Sequence, residues 1–266
     1  MRKKLSFLIL SATVVLGMYS CQKEATTADE SAAIPESVSA AITKAGFSTE
    51  NIIRDGSGYI VEGDIYNDDN YLRVQPGWFT MTIAATEQYR TTNLVTGLPR
   101  TITVSVNSKM GTAYQGDGGL VDDALQRYNA QNLEVTFDLV PSNGDIEIVN
   151  ANGSYLASAG FPTGGEPYGQ VKVNSRSLKG QPDGTIVSVI AHELGHCIGF
   201  RHTDYMDRSY SCGGAPSNEG SSGVGAILIP GTPSGADAGS WMLSCIGSGQ
   251  NRPFNANDVT ALKYLY

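Results

Sequence analysis

The chain is short of histidine, with three in 266 residues, and short of cysteine and tryptophan, with four and two. Four cysteines in a chain of this length do not make a disulfide scaffold, so a buried apolar core must hold the fold. Hydrophobic residues make up 41 % of the chain, enough for such a core. Charge is scarce on the basic side, with 18 Lys and Arg against 26 Asp and Glu, a formal net charge of −8. No basic patch relieves this, and such a chain repels nucleic acid and anionic membrane surfaces. No internal repeat is evident. The apolar run at residues 5–19 is too short and wrongly flanked for a stable membrane span.

That run follows Arg2, Lys3 and Lys4 and reads as a secretory signal. It ends at Ser20-Cys21 rather than at a small-x-small cleavage site, which resembles a bacterial lipoprotein signal with Cys21 as the acylated residue. The expectation is an exported chain, lipid-anchored on a bacterial membrane, at the outer-membrane surface or facing the extracellular space. Its only membrane contact is then the N-terminal lipid. Loss of residues 1–20 removes three basic groups (18 − 3 = 15) and no acidic ones, so the mature charge becomes −11. Residues 21–33 read as a flexible tether. Residues 34–97 contain a helical pattern at 34–45 and a strand pattern at 59–66, too little for an independent catalytic unit. Residues 98–266 suit one domain.

What histidine there is lies within eleven residues: His192-Glu193-Leu194-Gly195-His196-Cys197-Ile198-Gly199-Phe200-Arg201-His202. This reads H-E-x-x-H-x-x-G-x-x-H. On a helix, His192 and His196 project from one face, one turn apart, and can share one tetrahedral ion. Glu193 reaches the side where water would bind. Gly199 can take the positive φ that ends the helix sharply and returns the chain so that His202 becomes the third ligand. Three protein ligands leave a fourth position open, the pattern of one catalytic Zn²⁺ rather than a structural one. Glu193 is then the general base and acid. Before the motif, Ile186, Val189, Ile190, Leu194 and Cys197 mark an apolar stripe at helical spacing, although the β-branched run is a poor helix former.

The motif resembles that of the metzincin metallopeptidases. Ser240-Trp241-Met242-Leu243-Ser244 resembles their Met-turn, which implies that Met242 sits beneath the zinc. The order of patterns also resembles their catalytic domain: strands at 101–106, 133–140 and 146–149, a helix at 120–130, an edge-strand region near 169–173 and a C-terminal helix capped by Asn255 or Asn257. The implied fold is α+β, a twisted mixed sheet with an active-site helix, a Met-turn and a C-terminal helix. Gly199-Phe200-x-His202 and Met206-Asp207-Arg208 are similar to the astacins. The whole set, with Cys212-Gly213-Gly214 and Cys245, resembles the neighbouring M57 family, the dual-action HEIGH metallopeptidases. The astacin tyrosine two residues after the Met-turn methionine is here Ser244, leaving Tyr205 and Tyr210 as candidates by proximity alone. Glu62-Gly63-Asp64-Ile65 resembles the astacin prosegment motif, which implies a latent zymogen with Asp64 as fourth zinc ligand and an activating protease. No cysteine lies in residues 34–97, so a thiolate switch is excluded.

After removal of the signal, Cys197, Cys212 and Cys245 remain beside the lipidated Cys21. Cys212–Cys245 is the first choice for a disulfide because both lie in loops flanking the motif and a bridge would hold the Met-turn; pairings through Cys197 stay open. The leading reading is an endopeptidase that binds a protein or peptide substrate beside residues 169–173 by strand addition. The pocket after the scissile bond is expected within residues 210–239. Two other readings are a surface-binding lipoprotein with a structural or permanently latent zinc site, and a hydrolase of non-peptide amides. Calcium binding is left open.

Overall fold

The computed structural model describes residues 34–69, 72, 88–221, 223–233 and 236–266. The signal segment, Cys21 and the tether lie outside the described residues. Five strands form the main sheet in the order β6-β5-β7-β9-β8. They are β5 (Arg100–Val106), β6 (Val135–Val140), β7 (Ile146–Asn150), β8 (Ala157–Ser158) and β9 (Gln170–Val173). All pairs are parallel except β8 with β9. Alternation along β5 turns Ile102, Val104 and Val106 into the core, where Ile146, Ile148, Val171 and Val173 meet them. The fold is therefore α+β, with a mixed sheet of metzincin type.

Helix α2 (Leu120–Asn129) buries Leu120, Val121, Ala124, Leu125 and Tyr128, the stripe its spacing predicts. Tyr128 Oη donates to the Ala191 carbonyl at 2.6 Å, tying α2 to the long helix α3 (Asp183–Cys197). From Thr185 to Cys197 every residue of α3 is buried. That explains how a β-branched run stays helical: apolar contact on all sides outweighs a propensity deficit of at most about 0.7 kcal/mol per residue. Helix α5 (Ala256–Leu265) closes the core, and Asn255 proves to be its cap, accepting from the backbone N–H groups of Asn257 and Asp258. Among the described residues no helix is long and apolar enough to cross a membrane.

Two expectations change here. Residues 169–173 were expected near the open edge, yet β9 is interior. The two-residue strand β8, too short to register as a period-2 pattern, covers it. The single strand expected at 59–66 is a hairpin. After β1 (Ile53–Asp55), β2 (Gly58–Val61) turns through Glu62 (φ 55) and Gly63 (φ 94) into β3 (Ile65–Asp68). This hairpin and helix α1 (Glu36–Ala45) bury Ile42, Phe47, Tyr59, Val61 and Ile65 in a second cluster with Phe161 and Val224. Ile34–Tyr266 is accordingly one compact unit.

Residues 88–97 pair with elements far along the chain. Strand β4 (Tyr89–Arg90) pairs with β10 (Ile227–Leu228). The Thr91 N–H donates to the Gly199 carbonyl at 2.8 Å and the Arg201 N–H to the Tyr89 carbonyl at 2.9 Å. Residues 88–97 thus brace the turn that leaves α3. That turn needs glycine twice over. Gly199 has φ +109, and a Cβ there would stand 2.6 Å from the Asn93 carbonyl oxygen. Gly199→Ala should cost more than the roughly 1–3 kcal/mol of a strained backbone residue, because a backbone oxygen must also move. Thermal denaturation should show a Tm lower by several degrees, and an unchanged Tm would mean that the turn tolerates a side chain.

Candidate metal centre

Helix α3 presents His192 and His196 from one face, and the Gly199 turn brings His202 beside them. The Nε2 atom of His196 lies 3.0 Å from that of His192 and 3.2 Å from that of His202. Two ligands of a tetrahedral zinc at about 2.0–2.1 Å stand only slightly farther apart than this. Each ring is oriented from behind through Nδ1. Those contacts are 2.9 Å to the Trp241 carbonyl for His192, 2.8 Å to the Phe200 carbonyl for His196 and 2.8 Å to Glu219 Oε1 for His202. An acceptor behind Nδ1 holds a proton there, so a neutral ring turns its Nε2 lone pair inward, while a ring carrying a second proton donates it from Nε2. The donor set therefore fits a metal ion.

Asp64 joins this cluster from the hairpin tip. Its Oδ2 lies 3.1 Å from His202 Nε2 and 3.4 Å from His192 Nε2, while its buried Oδ1 has no hydrogen-bond partner. Asp64, His192, His196 and His202 together can surround one ion. Burial disfavours the Asp64 carboxylate, but the charge of His202 and hydrogen bonds from His192 and His202 outweigh it and hold the group well below the usual aspartate range. Burial also disfavours charge on His196, and its two histidine neighbours push it further down. On His202 the same burial is outweighed by Asp64 and Glu219, which push it up.

Glu193 is buried next to the first histidine, and its Oε2 has no hydrogen-bond partner. Burial, reinforced by Asp64, raises its carboxyl well above the ordinary glutamate range. Met242 is wholly buried beneath the helix. A Cβ on Gly195 would come within 2.6 Å of its Sδ, so the helix is bare where the methionine passes. Cys212 and Cys245 form a disulfide, and Cys197 is a free, buried thiol. Ser244, where astacins carry tyrosine, donates to Asp204 Oδ1 at 2.8 Å and approaches Glu219 Oε1 at 3.3 Å. Tyr205 packs edge-on against Tyr89, and Tyr210 is exposed on α4 (Ser209–Cys212). Neither lines the cleft beside Glu193.

Two contributors to the histidine shell carry no sequence signal, and neither do the walls of the cleft. Glu219 sits in a Gly/Ser-rich stretch seventeen residues after His202, with no period to mark it. It also lies 3.2 Å from Arg208 Nε and 3.6 Å from the buried Arg201, which in turn pairs with Glu62 at 2.9 Å. The Trp241 carbonyl acts as backbone, invisible to any side-chain reading. The cleft beside Glu193 is walled by Ser188 and Val189, by residues 241 and 243–246, and by Arg252. None of the described residues in 210–239 lines it; the chain after the Met-turn does.

A comparison with curated proteins found no match. Two solved structures of myroilysin resemble the chain at 16 % and 14 % identity. They cover 65 % and 66 % of it and 96 % and 86 % of their own chains, with TM-scores of 0.40 and 0.41. Residues 79–266 match the M57 peptidase family, described as dual-action HEIGH metallo-peptidases. With that match spanning most of the chain and the histidine cluster at its centre, the protein belongs to the dual-action HEIGH metallopeptidase family.

Proposed function

We propose that the chain is a zinc-dependent endopeptidase made in a latent form and exported as a lipid-anchored protein. The observation that carries the catalytic part is the convergence of three histidine Nε2 atoms beside a buried, unpartnered Glu193 carboxylate oxygen. His192, His196 and His202 would hold the zinc through Nε2, with Nδ1 committed to acceptors behind. Zinc when bound supplies Lewis-acid polarisation of a carbonyl and acidifies water to a pKa of about 7. Glu193 takes a proton from the attacking water at its unpartnered oxygen and passes it to the leaving amine.

The open edge of the sheet favours a peptide over other amides. Ala159, next to β8, offers its N–H and carbonyl outward, and an extended chain could add there by backbone hydrogen bonds. In this structure the chain's own N-terminal segment does so. The Ala159 N–H donates to the Asp64 carbonyl at 3.0 Å and the Tyr66 N–H to the Ala159 carbonyl at 2.7 Å. That strand pairing, with the Asp64 carboxylate among the histidines, supports latency by a segment that takes both the substrate's edge and the fourth metal position. A cut between residues 69 and 88 would release it while keeping the bracing strand β4. The reading as a surface-binding protein has no use for the Glu193 carboxylate.

Four outcomes test this reading. Glu193→Gln should keep its zinc, measured by metal analysis, and lose about 10²–10⁴-fold in casein hydrolysis; near-normal turnover would sink the general-base role. Glu219→Gln should do the reverse in part, weakening zinc affinity by about 10–100-fold in a chelator competition, because His202 loses its carboxylate partner. Asp64→Ala in the full chain should raise chelator-sensitive activity without any processing, and equal activity of parent and variant would refute the aspartate block. For the anchor, the motivation is the Ser20-Cys21 pattern alone, and Cys21→Ser should abolish incorporation of labelled fatty acid in a bacterial host; continued labelling would place the lipid elsewhere or nowhere.

A further inference from the structure

The cleft beside Glu193 has a volume of about 220 Å³. That exceeds the roughly 150 Å³ of an engineered cavity that admits benzene, so one amino-acid side chain fits it. Its walls are mostly apolar, with Leu156, Val189, Trp241, Leu243 and Ile246 among them. An apolar wall alone would favour an apolar side chain. Arg252 also lines the cleft, and it changes that expectation.

The Arg252 side chain is half-buried, and Nη1 donates to the Cys245 carbonyl at 3.1 Å while Nη2 donates to Gln250 Oε1 at 3.2 Å. These are neutral acceptors and use two of the five guanidinium N–H donors. Among the described residues no carboxylate lies within ion-pair distance of it; Asp204 and Asp258 act on it only from farther away. Arg208, the other cation on the cleft, differs in having Glu219 at 3.2 Å. Of the acidic groups lining the cleft, Asp64 faces the histidines and Glu193 is assigned the proton transfer. The Arg252 backbone and the Cys245 acceptor of its guanidinium are also held in place. Arg127 Nη1 donates to the Arg252 carbonyl at 3.1 Å, the Arg252 N–H donates to Ser188 Oγ at 2.8 Å, and Cys245 is fixed by its disulfide to Cys212. A half-buried cation without a counter-charge in direct contact carries a desolvation cost that an incoming carboxylate offsets, and a planar guanidinium can meet that carboxylate through two N–H groups.

We infer that Arg252 makes this cleft select substrates with an acidic side chain adjoining the scissile peptide bond. The apolar walls then cover the methylene groups of that side chain while the carboxylate reaches Arg252. The inference rests on the peptidase reading above and adds the substrate class. It fits glutamate better than aspartate, because the longer stem covers more of the apolar wall.

The test uses the full zinc-loaded chain carrying Asp64→Ala, with the parent alongside, on a peptide library derived from a whole proteome, with mass-spectrometric mapping of every cut. Acidic residues should be enriched about tenfold or more over Leu and Phe at a position adjoining the cut. Arg252→Lys should retain an acidic preference, and Arg252→Leu should shift it to apolar residues while chelator-sensitive cleavage of casein continues. Arg252→Gln, which keeps a donor for the Cys245 carbonyl, serves if the leucine variant fails to fold. An apolar or basic preference in the Arg252 chain, or an acidic preference that survives Arg252→Leu or Arg252→Gln, would overturn the inference and leave the peptidase reading standing. Absence of any chelator-sensitive cleavage would overturn both.

Discussion

The site depends on the hydrogen bonds behind the three histidines. An imidazole has two nitrogens, and without a fixed acceptor at Nδ1 either could carry the proton and the ring could turn. Here the acceptors come from three places: the Met-turn backbone at Trp241, the turn residue Phe200 and the Glu219 side chain. Each pins one ring, and together they aim three Nε2 lone pairs at one point. Much of the surrounding structure serves to hold these acceptors. Asp258 accepts from the Trp241 N–H at 3.2 Å and from Gln88, anchoring the Met-turn to α5. Asp258 is wholly buried, and that burial pushes its carboxyl up to about 7.

The N-terminal segment meets the site through the same kinds of contact. A hairpin tip with two residues at positive φ is compact enough to enter a cleft, and the strand that follows gains two backbone hydrogen bonds on the open sheet edge. Side-chain contacts add to this. Glu62 meets Arg201 at 2.9 Å, and Arg201 precedes His202 in the chain. Phe47 stacks on Phe161 with ring centres 6.2 Å apart, and Phe161 in turn meets the His196 ring edge-on at 5.5 Å. Removing the segment would thus disturb more than the Asp64 contact. It would also remove the Glu62–Arg201 ion pair and the Phe47 ring that stacks on Phe161.

Periodicity marked the elements well where burial is one-sided and long enough to count. Helix α2 and strands β5, β6 and β7 stand within a residue or two of their expected positions. It failed where pairing rather than pattern decides. Strand β8 has two residues and exists because β9 offers it an edge. The turn at Glu62-Gly63 falls between two short apolar stretches, Tyr59-Ile60-Val61 and Ile65-Tyr66, close enough together to pass for one strand. Strand β4 brings residues 88–97 into the catalytic part through contacts more than a hundred residues away.

The sequence by itself determined the metal-binding chemistry, because ligand identity and spacing on a helix are local: i and i+4 share a face whatever surrounds them. It also marked Gly199, since only glycine accepts the φ that returns the chain. Tertiary structure decided everything that needed partners distant in the chain. It put Glu219 behind His202, the Trp241 carbonyl behind His192, Asp64 among the histidines and Arg252 in the cleft beside Glu193. Asp64 apart, whose Glu62-Gly63-Asp64-Ile65 setting resembles a prosegment motif, none of these has a spacing to betray it, because a hydrogen-bond acceptor or a lone cation is defined by what the fold places a few ångströms away, and that distance is written only in three dimensions.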